Sequence, residues 1–194
     1  MATKKLIDRL KESLAKEGIE PRTRLARQWL KSKTQNLRVS GKELMQDRLK
    51  LRNKSLIGRM YFYYYDPKMK DTLPYYDRFP LVIPIERHND GFIGLNLHYI
   101  SPKYRIMLLD KLSSIMNNDE YDETTKLRIS YDFLKRATKI FEAKPCIKKY
   151  LMAHVKSRFL EITADEWDIA VMLPVEQFVK ARKSQVWQES KDQF

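Results

Sequence analysis

Positive charge is not spread along this chain. It is packed into the first third. Residues 1–60 carry 17 Lys or Arg against six acids, Asp8, Glu12, Glu17, Glu20, Glu43 and Asp47, so this stretch holds +11 of a net +13 over 194 residues. The rest is nearly neutral, with 21 basic and 19 acidic side chains. So cationic a segment can enter a fold only if it hides an apolar stripe and sends its charges outward. Such asymmetry marks a basic arm for nucleic acid or another acidic surface, or else a solvated helical face that keeps the chain dissolved.

The apolar stripe is present. Leu6, Ile7, Leu10 and Leu14 fall at helical spacing over 3–17, with Thr3 to cap the helix and Gly18 to end it. Pro21 suits the first turn of a second helix with Leu25, Trp29 and Leu30 on its apolar side. Arg24, Arg27 and Lys31, spaced i, i+3, i+7, form a basic stripe on it. Ser40 and Glu43 make a capping box for a third helix from Gly41 to about Leu51. Residues 1–57 thus read as a basic helical arm.

The character then changes. Arg59 to Asp66 is dense in aromatic rings and favours a strand. Leu81 to Ile85 is a second strand, where Pro84 predicts an edge or a bulge. Asn89-Asp90-Gly91 signals a hairpin turn into a third strand, Phe92 to Ile100. Ser101-Pro102 opens a helix carrying Tyr104, Met107, Leu108 and Leu112. Further helices are expected around Tyr131–Glu142 and Pro145–His154, then strands at Arg158–Ile162 and Asp168–Leu173, and a short helix near Val175. The predicted class is α+β: the arm, then a small bent antiparallel sheet or partial barrel with packed helices over 58–183, then a fraying polar tail at 184–194. An apolar fraction of 43% supports a packed core.

Catalytic signals are absent from the sequence. His88, His98 and His154 show no zinc spacing, and Cys146 has no second cysteine to pair or ligate with. His98 reads as a packed strand residue, and Cys146 as an inert small hydrophobe. No Gly-rich phosphate loop or nucleophile elbow occurs. Glu142-Ala-Lys144 is the best enzyme-like fragment, an acid–x–Lys pair of nuclease type. It falls at a helix end rather than on a strand where both side chains would converge. No cofactor or metal is expected, no apolar run is long enough to span a membrane, and the start does not read as a secretory signal.

The rings at Tyr61, Phe62, Tyr63, Tyr64 and Tyr65 can stack on single-stranded bases. The structural alternative, core on one face and partner interface on the other, is favoured. Tyr75 and Tyr76, in the following loop, are the better candidates for partner or base contact. Candidate polyanion-binding residues are Arg22, Arg24, Arg27, Lys31, Lys33 and Arg38.

Four segments carry a resemblance: Met60-Tyr-Phe-Tyr-Tyr-Tyr-Asp-Pro, Leu73-Pro-Tyr-Tyr-Asp-Arg-Phe-Pro-Leu-Val, Asp90-Gly-Phe-Ile-Gly-Leu-Asn-Leu-His-Tyr and Lys144-Pro-Cys-Ile-Lys-Lys-Tyr-Leu. Through them the chain resembles virion proteins of T4-like tailed bacteriophages, of the DNA end protector family. The resemblance covers residues 58–190, the arm more loosely. It implies a virion component, in the host cytoplasm during assembly, that binds genome ends and blocks host exonuclease. With the charge placement and the lack of catalytic signals, the expectation is a non-enzymatic protein whose basic arm contacts the DNA backbone without reading sequence. A second reading stays open: an adaptor in a symmetric neck, tail or baseplate assembly, docking its arm and aromatic hairpin on acidic faces of other virion subunits.

Overall fold

The computed structural model describes residues 5–116, 120–122, 125, 129–130, 132–133, 136 and 145–191. Three helices open it. α1 (Leu6–Lys16) buries Ile7, Leu10 and Leu14, one stripe at i, i+3, i+7. The proposed cap Thr3 lies outside the described residues, and Lys5 holds the cap position without a side-chain capping bond. Gly18, at φ +67°, turns the chain out of the helix. α2 (Arg24–Thr34) starts later than Pro21 suggested, because the Thr23 hydroxyl accepts the Ala26 N–H at 3.1 Å. α3 (Gly41–Leu44) is capped by Ser40 as expected but spans one turn only. Asp47 then turns inward to pair with Lys5 and Lys50, a 3-10 turn follows at Arg48–Lys50, and Leu51–Arg52 becomes strand β1.

The remaining strands are β2 (Met60–Phe62), β3 (Tyr76–Asp77), β4 (Leu81–His88), β5 (Gly91–Asn96), β6 (Ile147–Leu151), β7 (Phe159–Ile162) and β8 (Phe178–Val179). Six form an antiparallel sheet in the order β1-β7-β2-β4-β5-β6, which does not close, and β3 pairs with β8 in a small second sheet. Asn89-Asp90-Gly91 does make the hairpin. Pro84 sits at a bulge, as its missing N–H requires, but inside the sheet and not at an edge. Gly91 is required where it stands: a Cβ there would lie 1.9 Å from the Tyr150 carbonyl oxygen on β6. The predicted third strand stops at Asn96, whose side chain accepts the His98 N–H and caps a 3-10 turn, Leu97–Tyr99.

Both faces of the sheet are filled by the chain itself. On one side Met60, Phe62, Leu81, Ile83, Leu95, Leu160 and Ile162 join a large core with Ile7, Leu10, Leu14, Ala26, Leu30 and Leu44 from the basic helices. On the other, Tyr61, Tyr63, Tyr65, Val82, Phe92, Tyr150 and Phe159 form a second, aromatic core. Its rings meet mostly edge to face, Tyr63 on Phe159 at 5.0 Å and Tyr65 on Tyr150 at 5.0 Å. The expectation that one face of the aromatic strand serves a partner is therefore corrected. The sheet curls far enough for Tyr65 and Val155 to bridge, and the rings pack on each other.

Several later elements differ from expectation. Pro145–His154 is not a helix. Cys146 and Tyr150 point into the two cores, and Ile147–Leu151 pairs along the whole of β5, whose outer edge would otherwise lie bare. Asp168–Leu173 is not a strand. Its run of apolar residues was ambiguous between strand and buried helix, and it forms α5 (Trp167–Ala170) and a turn, led in by a Thr163–Glu166 capping box. The segment after Val175 holds β8 instead of a helix. Pro102 opens α4 (Pro102–Met116), where Leu109 and Leu112 are buried and Met107 is exposed. The helix expected over Tyr131–Glu142 lies mostly outside the described residues, though Asp132, Phe133 and Arg136 are helical. As far as it is described, the polar tail is not frayed: Lys183–Lys191 is α6, with Val186 fully buried and the Trp187 indole donating to the His98 carbonyl at 2.8 Å.

Candidate nucleic-acid interface

The cations of the first third fall into two groups. One is consumed inside the molecule. Lys5 pairs with Asp47, Lys11 with Asp165, Lys50 with Glu166, and Arg52 and Arg59 together with Glu161. Arg27 belongs here too, which corrects its place among the outward residues. It is 1% exposed, with Nε 2.9 Å from Asp168, a contact to Asp110, and Nη2 3.0 Å from the Arg22 carbonyl. Arg22 takes a left-handed φ of +61° on the way to presenting that carbonyl. Burial pushes Asp168 above the usual carboxylate range while Arg27 pulls it back.

The helix wheel explains the error. At about 100° per residue, Ala26, Arg27, Leu30 and Thr34 share the inward face. Of the expected apolar side, Leu30 is fully buried, but Leu25 and Trp29 are rotated outward, leaving Leu25 60% exposed and Trp29 half-buried. Two aspartates on later segments can make an arginine a core residue, and nothing in the local pattern announces them.

The second group faces solvent. Arg24, Lys31, Lys33 and Arg38 are exposed, Arg22 is partly so, and none forms an ion pair with another described residue. Lys42, Arg48 and Lys54 share that state, and reading α2 alone missed them. Lys42 closes a run with a sequence signal, since no acid occurs from Pro21 to Lys42; Arg48, next to Asp47, and Lys54 lie outside that run and carry no such signal. Arg24 and Lys31 lie two turns apart on one face of α2, and Lys33 Nζ sits 5.5 Å over the Trp29 ring.

The tyrosines divide differently from expectation. Tyr75 is buried, its ring tilted against Tyr99 at 5.9 Å, with its hydroxyl donating to Glu189 at 2.6 Å. It is not a free contact residue. Tyr76 is half-buried in β3.

Buried polar groups elsewhere build the fold. His98 is fully buried, its Nδ1 2.7 Å from Asp77, and Asp77 also accepts the Phe79 and Gln177 N–H groups. Arg105 holds the carbonyls of Ile100 and Val171 and pairs with Glu176 at 2.7 Å. Cys146 is buried. Among the described residues no three His, Cys, Asp or Glu side chains are grouped to hold a metal, and no helix is long and apolar enough to cross a membrane. Glu142 and Lys144 lie outside the described residues.

A family model described as the phage T4 terminal DNA protecting protein matches residues 4–191. No curated protein and no solved structure gives a significant match.

Proposed function

The chain belongs to the family of the phage T4 terminal DNA protecting protein, and on that footing we propose that it is a non-enzymatic virion protein that binds the ends of the phage genome through the outward cations of its N-terminal helices. The observation that carries this reading is the acid-free stretch from Pro21 to Lys42, whose exposed cations have no acid partner among the described residues. Arg22, Arg24, Lys31, Lys33 and Arg38 are the proposed phosphate contacts, without Arg27. Cations on a helical surface neutralise phosphates and release counterions, which gives affinity without sequence preference.

Binding to linear duplex at several salt concentrations tests this. With five phosphate contacts, log affinity falls against log salt with a slope of about −4.5, and each Ala substitution among the five lowers the slope by roughly 0.9. Absence of binding to linear duplex at low salt would overturn the reading. Equal affinity for linear and covalently closed DNA would overturn its end-protecting part.

A further inference from the structure

End binding needs more than contacts to backbone phosphodiesters, because these are the same near a terminus and in the middle of a duplex. A terminus adds a phosphate monoester, a free hydroxyl and, as its one large apolar feature, the bare π-face of its last base pair. Interior pairs are covered on both sides. A protein that recognises ends through that π-face needs an apolar or aromatic surface, exposed in the DNA-free state and close to cations. Tyr75 cannot supply it, since its ring is buried and its hydroxyl is taken by Glu189.

α2 does supply it. Leu25, Trp29 and Lys33 are spaced i, i+4, i+8 and so line one side of the helix. Leu25 is 60% exposed, which is unusual for a leucine on a helix that buries its neighbour Ala26 completely. Trp29 packs against the core at its inner side, so the indole is held in place while part of it remains in solvent. The cover on its ring face is the Lys33 ammonium at 5.5 Å, the end of a flexible, exposed side chain. A ring face screened by a mobile lysine is one that a base can take, and the displaced ammonium is then free to meet a terminal phosphate. Arg24 and Lys31 run along the other exposed edge of the same helix, roughly 100–160° around it from this strip, and no acid occurs on the helix.

We infer that Trp29, backed by Leu25, is the end-recognition surface: the indole stacks on the terminal base pair of duplex DNA while the neighbouring cations hold the last phosphates. This rests on the DNA-end reading above and assigns the preference for ends to residues other than the phosphate contacts. Stacking of one base on an aromatic side chain corresponds to roughly 5- to 150-fold in affinity, and that is the size of end preference expected.

Two measurements test it. The first is the ratio of affinities for a blunt linear duplex and for the same duplex closed by hairpin loops at both ends. In the parent this ratio is expected well above one, and in Trp29→Ala close to one, with Leu25→Ser between them. The second uses the unsubstituted protein and a duplex with 2-aminopurine as its terminal base, whose fluorescence is quenched if the indole stacks on it. No quenching overturns the inference even if Trp29→Ala fails to fold. A Trp29→Ala variant that keeps the parent ratio overturns it while leaving phosphate binding by the basic helices intact. Failure of the parent to bind either duplex overturns the underlying reading as well. Should Trp29→Ala instead change the sedimentation of the DNA-free protein, the strip is a protein contact and the DNA assignment falls.

Discussion

Arginines that look alike in the sequence do opposite work here, and substitution separates them. Arg27→Ala leaves Asp168 buried at 5% exposure without its partner, so a loss of about 3–5 kcal/mol is expected, read as a lower urea midpoint. Arg24→Ala, on the exposed face, is expected within about 0.5 kcal/mol of the parent in the same assay, with its effect on DNA affinity instead. Glu176 supplies a pH signature. Burial pushes its carboxyl up, but Arg105 above all, with Lys183, outweighs burial and holds it at about 2 instead of the ordinary 4.5. A depressed carboxylate contributes stability that is complete above 4.5 and is lost as the pH falls through about 2. The contribution is of order 3 kcal/mol. Glu176→Gln is expected to flatten this part of the pH–stability curve between pH 5 and 2, measured by urea unfolding, and an unchanged acid limb counts against it. The pairs behind these effects were not legible beforehand. Arg27 meets Asp168 from 141 residues away, and Arg105 meets Glu176 across 71, with no local pattern linking either pair.

Among elements, those with local chemistry were readable. The Ser40 cap, the Gly91 hairpin and the Ser101-Pro102 helix start depend on a few adjacent residues, and all three occur. Elements whose form is chosen by distant packing were not. Ile147–Leu151 is a strand because β5 has a free edge, and the Lys148-Lys149 pair disguises its alternation. Lys148 lies with its ammonium 4.8 Å over the Tyr99 ring, and burial lowers its pKa. The C-terminal helix is the sharpest case, since its composition is polar while Val186 is fully enclosed. Val186→Asp puts an unpaired charge in that site and is expected to cost several kcal/mol, with the Trp187 emission shifting toward that of a solvated indole at lower denaturant. A fraying tail would tolerate the change without either effect.

At the scale of the whole molecule, α+β was legible from the order of patterns, but the relation of the basic segment to the rest was not. Residues 1–57 read as an arm because their charge contrasts with the nearly neutral remainder of the chain, yet Ile7, Leu10, Leu14, Ala26, Leu30 and Leu44 lie in the same core as the sheet. The Thr34 hydroxyl bonds to the Met172 carbonyl at 2.7 Å, and α1 and α2 both pack on α5. The chain is therefore expected to unfold in a single calorimetric transition, and residues 58–194 alone are expected to show none; two separable transitions would establish an independent arm. The exposed strip on α2 was likewise hidden, because Leu25 and Trp29 have the composition of core. The filled sheet carries a last consequence. With both faces of the described sheet covered by the chain's own side chains, neither lies open to a DNA strand. One copy could shield a terminus only as a stopper, and a stopper succeeds by remaining in place longer than a nuclease takes to arrive. Residence time would then be the property under selection, ahead of equilibrium affinity.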